Sequence, residues 1–228
     1  MSVLQIFDEW TTYEKLVAND YMHHREFFAS LMDDVEARLE QPLSVIDIGC
    51  GDAQPVLPLL RRFEIESYVG VDQSQPAIDR AHELLTEEAV SFDLLQGSML
   101  EELKIMDGQF DLAIASFSLH HLESYDKQVV LHECRRLLRP SGTLAVIDVF
   151  LEEDESRATY FERWQRNARE SFTALAASEL DALIDHARSC DIPEAVSDYR
   201  EFGASAGFAA ATLVRQDPKH LNKLVLIC

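Results

Sequence analysis

The chain has 228 residues, 47% of them hydrophobic and 27% charged. Those are globular proportions, and at roughly 150 residues per domain they fit one large domain or one domain with an added lobe. Lys and Arg number 20 against 41 Asp and Glu, a formal net charge of −21. Such a balance repels phosphate backbones and anionic bilayers, so neither nucleic acid nor a membrane is expected as a partner.

No run approaches the ~20 apolar residues of a bilayer-spanning helix, and Asp8 and Glu9 interrupt MSVLQIFDEW before an apolar leader develops. Cys50, Cys134, Cys190 and Cys228 form no CxxC pair and have no histidine at ligand spacing. Reduced thiols in a cytoplasmic protein, without structural zinc, are the expectation.

Residues 1–41 read as a helical cap, with Asn19 and Asp20 able to start a helix whose stripe is Phe27, Leu31, Val35 and Leu39. From residue 42 to 150 short apolar runs alternate with helices. The strands predicted are Leu43–Ile48, Tyr68–Val71, Val90–Leu95, Phe110–Ser116 and Thr143–Val149, with helices near 54–63, 75–88 and 123–138. Ser74 caps the second helix ahead of Pro76, and Pro140-Ser141-Gly142 marks a turn. Near-continuous apolar strands between helices indicate a doubly wound α/β sheet covered on both faces. Residues 151–196 read as a helical insertion, with helices at about 156–177 and 178–189 and a helix cap at Asp191-Ile192-Pro193-Glu194. Residues 197–228 add a helix and a closing strand pair around Gln216-Asp217-Pro218.

The segment Val45-Ile46-Asp47-Ile48-Gly49-Cys50-Gly51-Asp52-Ala53 leaves the first strand and runs into a helix. Glycines there let the backbone turn sharply and approach a ligand. Asp72 closes the next strand, where a carboxylate accepts hydrogen bonds from ribose hydroxyls. An adenosine-containing cofactor is therefore expected at the C-terminal edge of the sheet. Gln54 occupies the place of the third glycine of a dinucleotide fingerprint, and Asp47 would repel a pyrophosphate but favour an amino-acid ammonium. These two residues select S-adenosylmethionine over NAD.

With these motifs the sequence resembles the class I S-adenosylmethionine-dependent methyltransferases of the small-molecule type. VIDIGCGDA is similar to that family's glycine-rich motif and VGVDQS to its acidic motif; QGSML, FDLAIASFSLHHL and RRLLRPSGTLAVID follow in order. The resemblance covers about 43–150 and the final strand pair. It implies a Rossmann-like seven-stranded sheet of order 3-2-1-4-5-7-6 with the last-entered strand antiparallel. S-adenosylhomocysteine would be the product. It also implies a cofactor site built from Asp47, Gly49, Cys50, Gly51, Asp72, Gln73, Ser98, Met99, Ser116 and Phe117, joined by Tyr13, Tyr21 and Arg25 at the methionine end. Two departures stand out: Ala53 replaces a third glycine, and Ser98 stands where many relatives carry an aspartate.

Methyl transfer needs alignment of a nucleophile with a sulfonium methyl, and a base only when the nucleophile arrives protonated. His120 and His121, after the fourth strand, are the catalytic candidates. Neighbouring histidines rarely converge on one ion without a third ligand, so no metal is expected. Of 20 aromatic residues, 11 fall in segments 1–40 and 150–172. They read as a helical lid over a substrate pocket, with Trp10, Tyr160 and Trp164 as substrate contacts. The expected function is methyl transfer to O, N, S or C of a small molecule. Action on protein or RNA, or cofactor binding without catalysis, are the alternatives, and a homodimer is compatible with each.

Overall fold

The computed structural model describes residues 10–228, with side chains from Thr12 onward. Two helices open it, α1 (Trp10–Ala18) and α2 (His24–Arg38). The alternating core follows as β1 (Leu43–Ile48), α3 (Leu57–Arg62), β2 (Ile65–Asp72), α4 (Gln75–Thr86), β3 (Phe92–Gln96), α5 (Met99–Ile105), β4 (Phe110–Ser116), a 3-10 turn (Leu119–His121), α6 (Ser124–Leu137) and β5 (Leu138–Val149). The insertion contributes α7 (Arg157–Ser171) and α8 (Ala177–Cys190). The chain then closes with α9 (Val196–Ala206), β6 (Ala211–Gln216) and β7 (Asn222–Ile227).

The strands form one sheet in the order β3-β2-β1-β4-β5-β7-β6. β1 to β5 pair in parallel, whereas β7 runs antiparallel to both β5 and β6. This is the doubly wound order expected, and its physical basis is visible in β1. All six of its residues are buried, because alternate side chains enter two cores. Val45, Leu112, Ile114 and Ala145 meet Phe27, Leu31 and Leu59 on one face; Ile46, Ile48, Ala113 and Val146 meet Val130, Leu131 and Tyr199 on the other. Because the central strands are parallel, the ends of β1, β2, β4 and β5 lie along one edge. The order reverses between β1 and β4, which opens the crevice where ligands bind in such sheets.

Several local expectations are corrected. The N-terminal helical stretch breaks at residues 19–23, with Asp20 (φ 53°) and His23 (φ 58°) left-handed; His23, not Asn19 or Asp20, occupies the N-cap of α2. The helix after the glycine loop starts only at Leu57, with Pro58 in its first turn. Helix α5 was not anticipated. Pro140-Ser141-Gly142 lies inside β5 as an irregularity, since Phe110 pairs with Leu138 but Leu112 pairs with Thr143. Finally, residues 191–194 are not a helix cap. They form a strap, with Ile192 N–H donating to the His120 carbonyl and Leu151 N–H to that of Glu194. No helix among the described residues is long and apolar enough to cross a membrane.

Candidate active site

At the C-terminal edge of the sheet lies a cavity of about 330 Å³. The glycine loop, the end of β2, the turn after β4, helix α1 and the insertion helices α7 and α8 surround it. At one end Gly49, Gly51, Asp72, Gln73, Gly97, Met99, Ser116 and Phe117 line the wall.

The loop after β1 is bent by Gly49 (φ +75°) and Gly51 (φ +55°). A Cβ on Gly49 would collide with the side chain of Ser118, whose hydroxyl donates to the Ile48 carbonyl at 2.6 Å. The close approach of this loop to the turn after β4 therefore requires glycine. Ala53 takes φ 59°, so the alanine replacing the expected third glycine keeps the left-handed backbone. Asp72 anchors the loop from the neighbouring strand. Its carboxylate accepts from Gly51 N–H at 2.9 Å and Ser74 N–H at 2.8 Å, and burial raises its pKa against those two bonds.

Asp47 is buried within β1, two residues ahead of this loop, and does not line the cavity. Burial holds its pKa up to about 7, opposed by the Tyr68 hydroxyl, which donates to it at 3.0 Å, and reinforced by the charge of Asp72. Its Oδ1 and the Ser116 hydroxyl are buried and make no hydrogen bond among the described residues. Orphaned polar atoms cost about 1–3 kcal/mol each, and that of Ser116, a residue on the cavity wall, is a natural partner for a polar ligand. Phe117 follows with φ 51°, a conformation that costs roughly 1 kcal/mol or more outside glycine; its N–H is held by the Ile147 carbonyl at 2.7 Å.

The other end of the cavity is more apolar, with Leu16, Met22, Trp164, Phe172 and Leu183 on its wall. Tyr21 stacks on Phe172 (4.5 Å, 12°), Trp164 meets Phe172 edge-on, and Lys15 bridges to Glu179 at 2.6 Å. One polar corner interrupts this surface. His120 Nδ1 lies 2.5 Å from Asp148 Oδ1, and Asp148 is itself held by the N–H groups of Leu119, His120 and Val149. Burial works against charging His120, but Asp148 and Asp191 overcome it and raise its pKa to about 9. His121 is shifted down by burial, His120 and His186, and stays neutral at pH 7. Asp191 is held up to about 6 by burial, against the attraction of His120.

Among the sequence candidates, the cavity wall brings together Tyr13, Tyr21, Gly49, Gly51, Asp72, Gln73, Met99, Ser116, Phe117, His120, His121 and Trp164. Others are placed elsewhere. Arg25 is exposed, and its backbone N–H bonds Asp20. Cys50 turns inward, so that its Sγ crowds Gly70. Ser98 caps α5 without using its hydroxyl. Tyr160 is buried, donating to the Leu221 carbonyl at 3.4 Å and packing on Phe161. The side chain of Trp10 lies outside the described residues. Sequence reasoning missed Asp148, Asp191 and Asn167, and read His186 as a packing residue. The only signal for the first was its place at the end of a core strand, and the other three lie in the insertion or the strap that follows it.

Residues 45–142 match the family described as methyltransferase domain. The chain is 26% identical over 163 residues to 27-O-demethylrifamycin SV methyltransferase of Amycolatopsis mediterranei, covering 69% of this chain and 57% of that protein. It is 34% identical over 108 residues to methyltransferase GfsG of Streptomyces halstedii, covering 46% of this chain and 37% of that one. It thus spans 37% to 57% of the length of these curated relatives. The solved structure of mitomycin 7-O-methyltransferase MmcR superposes with a TM-score of 0.56 at 19% identity, over 81% of this chain and 48% of that one, a likeness of fold. The match over residues 45–142 and the strand order together support a class I S-adenosylmethionine-dependent methyltransferase domain. S-adenosylmethionine is the cofactor of that class.

Proposed function

We propose that the chain transfers the methyl group of S-adenosylmethionine to a nucleophilic atom of a small, largely apolar acceptor. The observation that carries this reading is the two-ended cavity. A polar end made by Gly49, Gly51, Asp72 and Ser116 is continuous with an apolar end made by Leu16, Trp164, Phe172 and Leu183. The names of the relatives, among them the rifamycin enzyme, support a small-molecule acceptor.

Bound in the polar end, the cofactor supplies an electrophilic methyl group on a sulfonium. Asp72 would accept hydrogen bonds from ribose hydroxyls, while its existing bonds to Gly51 and Ser74 fix its orientation. The loop at Gly49–Gly51 and the Ser116 hydroxyl would hold the methionine portion, with Asp47 supplying negative potential from beneath toward its ammonium group. Gln73, Gly97 and Met99, which line the cavity, would face the adenine. Helices α1, α7 and α8 act as a lid that excludes water and presses the acceptor against Phe117, and alignment of this kind lowers the barrier by removing orientational freedom. The polar corner at His120, His121 and Asp191 would orient the acceptor and take its proton where it carries one.

The test is to incubate the protein with methyl-labelled S-adenosylmethionine and an extract of its own source, then separate metabolites, RNA and protein. Label in the metabolite fraction is expected. Label confined to protein or RNA would overturn the substrate class.

A further inference from the structure

The geometry points to a binding site for a divalent transition cation of the zinc class, formed by His120 Nε2, His121 Nδ1 and Asp191 Oδ1 at the acceptor end of the cavity. Nothing in the sequence brings Asp191 to the histidines; the strap after α8 does so by bonding Ile192 N–H to the His120 carbonyl. Asp191 Oδ1 stands 3.8 Å from His120 Nε2 and 3.6 Å from His121 Nδ1, and one ligand atom from each residue falls within 4.8 Å of the others. Two ligands at about 2.1 Å from a tetrahedral ion are about 3.4 Å apart, near the two separations of Asp191 Oδ1 from the histidine nitrogens.

Three further observations support a built site. Asp191 is 9% exposed, and its Oδ1 accepts no hydrogen bond among the described residues. His120 already has the outer partner typical of a metal-bound histidine: Asp148 engages Nδ1 at 2.5 Å and turns Nε2 toward Asp191. The charges also accommodate an ion. Asp148 and Asp191 bring two carboxylates to this buried corner, while Lys127 is engaged by the Ile192 carbonyl and Glu194. A divalent cation with two neutral imidazoles and these two carboxylates makes a neutral group, so the ion would enter without leaving net charge buried. In the proposed reaction such an ion would bind an acceptor oxygen or nitrogen and favour its deprotonated form beside Phe117. That role rests on the methyltransferase reading, whereas metal binding does not.

The 228-residue chain, stripped with chelator, is dialysed against micromolar Zn²⁺ or Co²⁺. Retained metal is measured per chain, and the visible spectrum of the cobalt form is recorded. One ion per chain is expected, with d–d bands of a low-coordinate nitrogen and oxygen site that Zn²⁺ displaces. Asp191→Asn and His121→Ala should each weaken binding at least tenfold, while Cys190→Ser should bind as the parent does. Absence of retained metal in the parent chain, a thiolate charge-transfer band, or unchanged affinity in Asp191→Asn would overturn the site. Should either variant fail to fold, the stoichiometry and spectrum of the parent chain decide. Calorimetric titration of the stripped protein with S-adenosylhomocysteine, run in parallel, separates failure of the metal site from failure of the cofactor reading.

Discussion

Asp47 is a destabilising residue in the free protein. An unfolded aspartate titrates at about 3.9, but burial first, and the charge of Asp72 as well, hold it up to about 7 in the fold, with the bond from Tyr68 offsetting part of the shift. A carboxyl whose folded pKa is raised gives the fold its full benefit below about pH 4 and loses that benefit as pH rises through 7. The penalty above pH 7 is on the order of 2–4 kcal/mol. Asp47→Asn keeps an acceptor for Tyr68 without the charge, so it should raise the melting temperature of the cofactor-free chain by several degrees at pH 8.5. At pH 4 it should change it little. Thermal unfolding at both pH values checks this, and an effect independent of pH would contradict it. Keeping a strained carboxylate at this position is a cost consistent with a cofactor site.

The sheet and the helical insertion differ in how they are held. β1 and β4 are buried on both faces, whereas α1, α7 and α8 meet in a small separate cluster of Leu16, Ala168, Phe172, Leu175, Leu180 and Ile184. Phe172 joins this cluster to Tyr21 and Trp164 through its ring contacts. Truncation of a buried phenylalanine costs about 3–5 kcal/mol. Phe172→Ala should therefore open these helices locally, raising amide exchange at least tenfold in α1, α7 and α8 while β1 and β4 keep their protection. Exchange that rises equally through the sheet would show that the helices are part of the main cooperative unit.

The same contrast explains what could be read in advance. Leu43–Ile48 and Phe110–Ser116 were legible because burial on both faces leaves continuous apolar runs bounded by loop residues. Met99–Ile105 was not, because seven residues make too few turns to establish a helical period. The strap at 191–194 carried a local cap pattern that long-range bonds to His120 and Leu151 overruled.

At the scale of the whole molecule, the polar end of the cavity was legible as a place in the fold. Gly49, Gly51 and Asp72 sit at adjacent strand ends, as their spacing predicts, and line one wall. The apolar end was not legible. Asp191 and His186 reach His121 only through the path of the insertion, and residue type alone did not distinguish cavity-lining Trp164 from packed Tyr160. A net charge of −21 adds a constraint on that end, since a negative field favours neutral or cationic acceptors over polyanions.

The most direct measurement is calorimetric titration of the full chain with S-adenosylhomocysteine, beside NAD and beside the Asp72→Ala chain. One site per chain for S-adenosylhomocysteine is expected, with NAD bound far more weakly. Loss of two charge-assisted hydrogen bonds should weaken binding by one to two orders of magnitude or more in Asp72→Ala, with an unchanged far-UV spectrum. Equal affinity in the Asp72→Ala chain, or preference for NAD, would contradict the placement of the cofactor.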